Sequence, residues 1–141
     1  MPVEGGRPEF HVQWLRRLRH VPYTVVADEI AAMSMWPALI GVRFVVDATG
    51  VGRAVVDLLR ERVPHVEAVT ITSGREVTIA PVPHEHGVPK RDLASAMEVA
   101  LSARRLRVPD KLPEGRALAA ELQDFGWTIS AAGRDSYAAK G

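Results

Sequence analysis

The order of elements predicted over residues 42–72 constrains the fold more than any other feature of the sequence. Residues 42–47 predict a strand that contains the apolar run 44–46 and ends in Asp47, and the turn Ala-Thr-Gly-Val-Gly follows it. An amphipathic segment over 53–62 predicts a helix, and residues 67–72 predict a second strand. A strand, a helix and a strand in this order indicate a parallel pair with a right-handed crossover. We therefore expect an α/β fold in which the strand 42–47 is central and covered on both faces.

The spacing of apolar residues predicts three more strands and three more helices. The strands are expected at 10–18, 77–80 and 127–130, and the helices between Pro22 and Pro37, at 90–105 and at 114–125. Residues 81–89 contain three prolines and one glycine, which predict a loop. The length of 141 residues suits one domain over residues 1–141.

Composition excludes several classes of protein. The chain has no cysteine, which excludes disulfides, thiolate zinc sites and cysteine nucleophiles. No apolar run approaches the roughly 18 residues of a membrane span, and the N-terminus lacks the pattern of a secretory signal. We therefore expect a cytoplasmic protein without a membrane partner. The net charge of +1 neither requires nor excludes a nucleic-acid partner.

Asp47 is the strongest candidate for a functional residue. Ligands of α/β sheets bind at the carboxyl ends of the strands, which is where Asp47 stands. Gly50 and Gly52 let the backbone approach a ligand, and the following helix points its positive end at the same place. These features suit a metal ion or a phosphate. The alternative is that Asp47 only caps the helix or organises the turn.

Two other motifs match a known chemistry only in part. Gly50-Val51-Gly52 begins a dinucleotide-binding fingerprint, but the third small residue is replaced by Val55. A nucleotide- or cofactor-binding module that uses residues 47–53, with NAD or S-adenosylmethionine as ligand, is therefore one alternative function. His84 and His86 alternate as metal ligands do, but no third ligand of certain geometry stands nearby, and the sequence favours a solvated, proline-rich loop over a metal site.

The segment VVDATGVGRAVVDLL, residues 45–59, resembles the second acidic motif of phage terminase large subunits, in their C-terminal nuclease domain. Further segments are similar to that domain in order and spacing. They are VEAVTIT (66–72), VPKRDLASAMEVAL (88–101), RLRVPD (105–110), AAELQDF (119–125) and GRDSYAAKG (133–141).

The resemblance implies a ribonuclease-H-like fold, a mixed sheet flanked by helices. It implies an endonuclease that cleaves double-stranded DNA during phage packaging with two Mg²⁺ or Mn²⁺ ions, beside other packaging proteins in a bacterial host. Asp47 would be catalytic and a metal ligand. Arg53 and Lys90 would contact the nucleic acid.

The chain departs from the family at both ends. The first acid of such sites stands on an opening strand that has no counterpart before Phe10, and the third would follow Gly141. Asp135 is the local acid nearest that third position and a substitute metal ligand. We therefore expect an internal piece of the domain, incomplete at both ends, with weak metal binding and little or no DNA cleavage. No Walker motif is present. A third alternative is a non-catalytic protein that dimerises through an open sheet edge.

Overall fold

A computed structural model describes residues 6–125 of the chain. Within that range the elements are, in chain order, β1 (Phe10–His11), α1 (Tyr23–Ser34), a 3₁₀ turn (Pro37–Leu39), β2 (Phe44–Asp47), α2 (Gly52–Arg60), β3 (Val66–Thr72), β4 (Thr78–Ile79), β5 (Glu85–Pro89), α3 (Lys90–Ser102), β6 (Leu106–Arg107) and α4 (residues 115–125). The contacts separate these elements into two compact units, one over residues 18–93 and one over residues 6–17 and 94–125. The strand expected at 127–130 lies outside the described residues.

The unit over residues 18–93 is built on a four-stranded sheet in the order β2-β3-β5-β4. β2 runs parallel to β3, with Phe44 opposite Val66 and Asp47 opposite Val69. β3 runs parallel to β5, and β4 is antiparallel to β5. The fold is therefore α/β with a mixed sheet, and the predicted parallel pairing of the two strands that flank α2 is confirmed.

The core of this unit lies where α1 and α2 pack beside the sheet. Val56 and Leu59 of α2 are completely buried, as is Ala27 of α1, and they meet Val66 and Ala68 of β3. Val56 and Leu59 follow the start of α2 by four and seven residues, so they share one face of the helix. Burial of each large side chain contributes roughly 1.5–3 kcal/mol. The alanines let the layers approach closely.

The expectation that the strand 42–47 is central is wrong for the described part of the chain. β2 has one neighbour, β3, and the side chain of Val45 is 69% exposed. Phe44 and Val46 face the helices, while Val45 faces away from them. The helices therefore cover only one face of β2. An apolar run predicts a strand but does not reveal how many neighbours it has.

Two further expectations are corrected. Residues 81–89 are not one loop, because β5 occupies 85–89 and pairs with two neighbours. Proline and glycine are rare in strands, which hid it. A Cβ at Gly87 would collide with the Thr78 hydroxyl of β4, so glycine fits this position without moving that side chain. The strand expected over 10–18 is limited to Phe10–His11.

The second unit contains a short parallel pair, β1 with β6, in which Phe10 lies opposite Leu106. The Arg105 guanidinium stands 5.4 Å from the centroid of the Phe10 ring and donates from Nε to the Pro8 carbonyl at 2.7 Å. Arg17 forms an ion pair with Glu121 of α4. Among residues 6–125, no helix has both the length and the apolar character needed to cross a membrane.

The turn between β2 and α2 generates the first prediction. A Cβ at residue 52 would lie 2.9 Å from the carbonyl carbon of Asp47 and closer still to its oxygen. We expect Gly52→Ala to lower the free energy of unfolding by about 1–3 kcal/mol, as overpacking does. Urea denaturation measures the loss.

The matched control is Gly74→Ala, since a Cβ there meets only the Thr72 hydroxyl at 3.4 Å. This control is expected to change the free energy of unfolding little. Equal losses in the two variants would show that the close approach at residue 52 is not a constraint.

Candidate nucleic-acid interface and metal contact

Three parallel strands end at one edge of the sheet, and the candidate residues stand there. β2 ends in Asp47, β3 ends in Thr72, and β5 is followed directly by Lys90, the first residue of α3. Asp47 lies opposite Val69, which lies opposite His86, so Lys90 is two strand spacings away and four residues farther along, roughly 16 Å from Asp47. The sheet therefore brings these two predicted residues to the same side of the unit.

The Asp47 side chain is exposed and hydrogen-bonded to the turn that follows it. Its Oδ1 accepts from the backbone N–H of Thr49 at 2.9 Å. The Thr49 hydroxyl in turn accepts from the N–H of Ile71 at 2.9 Å, which ties the turn to β3. Hydrogen bonds from the Thr49 hydroxyl and backbone N–H hold the pKa of Asp47 below its usual range. Asp47 organises the turn and also presents its carboxylate to solvent.

The geometry of the turn itself explains its two glycines. Gly50 has φ +59°, a left-handed conformation that glycine adopts without strain. Gly52 stands against the carbonyl group of Asp47. Neither glycine therefore needs a bound nucleotide to account for it, and α2 begins directly at Gly52.

The described residues fit one contact to a hydrated divalent ion and do not fit a two-metal centre. Mg²⁺ keeps several waters and is held through one or two carboxylates plus substrate phosphates. Asp47 supplies one such carboxylate. Among residues 6–125, no three His, Asp or Glu side chains are grouped to hold a metal ion. Asp135, the expected substitute ligand, lies outside the described residues.

Lys90 belongs to a small cluster of cations. Arg91 donates from Nη2 to the carbonyl of Arg75, so the segment after β3 touches the beginning of α3. Lys90, Arg91 and Arg75 are all exposed at this edge. We call these three residues the basic cluster. Exposed cations beside the carboxyl ends of strands suit contacts to a phosphate backbone.

Arg53, the other predicted nucleic-acid contact, is engaged within the protein. Its Nη1 donates to Glu85 Oε1 at 2.7 Å, and Nη1 of Arg60 donates to the same oxygen at 2.8 Å. Glu85 is only 16% exposed, and these two arginines, Arg60 foremost, hold its pKa below the usual range. The three side chains fasten α2 to β5. A contact of Arg53 with nucleic acid stays a prediction.

A cluster on the sheet face opposite α2 was missed by sequence reasoning. The carboxylate of Glu67, on β3, bonds His84 Nδ1 through Oε1 and His86 Nε2 through Oε2, each at 2.9 Å. These hydrogen bonds, that of His84 foremost, hold the pKa of Glu67 below its usual range. The alternate spacing of the two histidines is visible in the sequence, but Glu67, their common partner, is distant from them in the chain. The signal that could have found it is one acid within the otherwise uncharged run 66–72.

Comparison of the chain with protein-family models, with curated proteins and with solved structures gives no match.

The Glu85 bridge generates a prediction about acid stability. The pKa of Glu85 is lower in the folded protein than in the unfolded chain, where a glutamate has a pKa of about 4.3. The ionised carboxylate therefore stabilises the fold above that pH, and this stabilisation is lost as the pH falls through the pKa of Glu85 in the folded protein. We expect Glu85→Gln to destabilise the protein at neutral pH. The difference from the wild type should shrink below about pH 4. Chemical denaturation across pH measures it.

Glu98→Gln, which changes an exposed carboxylate of α3, is the control and should have little effect at any pH. A Glu85→Gln deficit that stays constant down to acid pH would show that the carboxylate charge is not what fastens α2 to β5.

Proposed function

We propose that this chain is a homologue of the nuclease domain of phage terminase large subunits, with a ribonuclease-H-like fold. It binds double-stranded DNA and by itself cleaves it weakly or not at all. The observation that carries the proposal is the exposed Asp47 carboxylate at the end of β2, on the same sheet edge as Lys90. Asp47 matches the family's acidic motif, and Lys90 matches the base that begins the helix after the loop.

The topology around Asp47 supports this kinship. The segment that follows the motif in the resemblance, residues 66–72, is β3 here, and it runs parallel to β2 after the helix α2. The metal-assisted cleavage of the family would draw on Asp47 as one ligand. The described residues supply that one carboxylate and no three-ligand group, so we propose DNA binding as the activity of this chain.

The basic cluster supports a DNA-binding edge. Each cation that neutralises a phosphate releases condensed counterions, which makes binding favourable and strongly salt-dependent. The expected interaction is non-specific, a class of DNA binding whose dissociation constants are typically on the order of 10⁻⁴–10⁻⁶ M. The Asp47 carboxylate, two strand spacings away and farther back along the sheet, repels phosphate unless a cation lies between the two. The proposal therefore places the DNA backbone on the Lys90 side of the edge.

A salt titration of DNA binding tests this interface. We expect Lys90→Gln to weaken the binding of a labelled duplex and to reduce the slope of log K against log salt by about 0.9, which is one phosphate contact. Fluorescence anisotropy measures both quantities. Lys111→Gln is the matched control because it removes the same charge from an exposed position in the other unit.

An equal reduction of the slope in both variants would mean that the affinity depends on the net charge of the protein and not on a contact at Lys90. Absence of binding to duplex DNA at low salt would overturn the proposed function.

The role of Asp47 is tested with Mn²⁺. We expect Mn²⁺ to raise the melting temperature slightly and Asp47→Asn to abolish that rise, while the variant loses less than about 1 kcal/mol because Asn still accepts from the Thr49 N–H. Differential scanning fluorimetry measures the shift. Asp57→Asn, on the exposed face of α2, should keep the response to Mn²⁺.

A response to Mn²⁺ that persists in Asp47→Asn would remove Asp47 from the metal contact. Stabilisation by NAD or S-adenosylmethionine, without any by Mn²⁺, would favour the cofactor-binding alternative. Robust plasmid nicking that depends on Asp47 would show that the chain holds a complete catalytic site.

A further inference from the structure

One backbone edge of β2 has no strand beside it among the described residues. The N–H of Phe44 donates to the His65 carbonyl and that of Ala48 to the Val69 carbonyl, so the even-numbered residues turn their backbone groups towards β3. In a parallel pair the intervening residues turn theirs the other way. The N–H and carbonyl groups of Arg43 and Val45 and the N–H of Asp47 therefore point away from the sheet, while the Asp47 carbonyl lies against Gly52. Such an edge is a template for another strand.

The side chains of the same three residues are accessible. Arg43 is 74% exposed, Val45 is 69% exposed and Asp47 is exposed. Because they alternate along the strand, all three stand on the face opposite α2. Arg43 Nη1 is 3.9 Å from Glu67 Oε1, at the limit of an ion pair, and so is available to another acceptor. The edge thus presents a cation, an apolar side chain and an anion in a row.

We propose that β2 pairs antiparallel with β2 of a second copy of this chain, about a two-fold axis at Val45. In this register Val45 lies opposite Val45, and Arg43 of each copy lies opposite Asp47 of the other. The Val45 pair and the two Arg43–Asp47 pairs fall at the hydrogen-bonded positions of an antiparallel ladder. The two Val45 residues exchange both of their backbone hydrogen bonds, and the N–H of each Asp47 donates to the Arg43 carbonyl of the other copy. The two four-stranded sheets become one continuous sheet.

Charge complementarity favours a second copy in this orientation. Opposite charges directly across a ladder stabilise the pair, and like charges destabilise it. Antiparallel pairing about Val45 forms two Arg–Asp pairs. Parallel pairing in register would place Arg43 beside Arg43 and Asp47 beside Asp47, and it does not close into a symmetric dimer. The strand is therefore complementary to itself in one arrangement.

Apolar surface also continues past the beginning of β2. A hollow of about 330 Å³ is lined by Phe44 together with Met35 and Ile40, which are 77% and 74% exposed. β2 itself has four residues, so the pairing alone gives a small interface. We expect a weak dimer whose population rises with protein concentration.

Sedimentation equilibrium in the absence of DNA and metal tests the pairing, so the result is independent of the proposed function. The wild type should dimerise with rising concentration. Val45→Pro should be monomeric, because it removes only an N–H that points away from β3 and proline is tolerated at such positions. Arg116→Glu, an exposed charge reversal on α4, should dimerise like the wild type.

Charge reversal tests the register. Arg43→Glu and Asp47→Lys should each be monomeric, because each places like charges across the axis. A mixture of the two variants should dimerise, since the glutamate introduced in one copy then faces the lysine introduced in the other, and the second Arg–Asp pair is unchanged.

Circular dichroism confirms that each variant is folded. Should Asp47→Lys unfold, the mixing test is left out and Val45→Lys, which places like charges at the two-fold axis, is measured alone and must be monomeric. A monomeric wild type at every concentration, a dimer that survives Val45→Pro, or folded charge variants that stay monomeric when mixed would overturn the proposal.

Discussion

The close approach of the Asp47 carbonyl group to Gly52 sets the position of everything that follows in the unit over residues 18–93. It fixes where the chain leaves β2 and where α2 begins. Val56 and Leu59 then fall on the face of the helix that reaches the sheet, where they become the largest buried aliphatic side chains. Any side chain at residue 52 would displace the start of the helix and with it this packing. The turn is thus a structural necessity before it is a candidate site.

The Glu85 bridge divides the cations of this region into two kinds. Arg53 and Arg60 stand seven residues apart on one face of α2, and both donate to the same carboxylate oxygen of β5. Glu85 balances one of their two positive charges and binds both side chains within the protein, while Arg53 stays 42% exposed. Lys90 stands at the opposite end of β5 in an exposed position. Spatial placement separates the structural arginines from the lysine available to a ligand, although the sequence presents all of them as bases.

The parallel β2–α2–β3 unit could be predicted because its signals are local: an apolar run, a glycine turn, a helical period and a β-branched run. The position of β2 at the edge could not, because it depends on which strands pair, and Val45 is as apolar as a central residue would be. β5 could not be predicted because Gly87 and Pro89 are typical of loops. The contact with Thr78 shows why a residue without a side chain fits at position 87. The Glu67 cluster joins residues 17 and 19 positions apart, which no local pattern records.

Asp47 links the two proposals, because its carboxylate cannot serve both at once. In the paired sheet, Arg43 of a second copy would neutralise it and occupy the oxygen that Thr49 leaves open. An ion-paired carboxylate has fewer lone pairs to offer a divalent cation and no longer repels a phosphate. The monomer is therefore the form that presents a cation contact at the end of β2, and the dimer is the form that closes it. A higher protein concentration favours the dimer, whereas divalent ions, which bind the monomer, shift the monomer–dimer equilibrium towards the monomer.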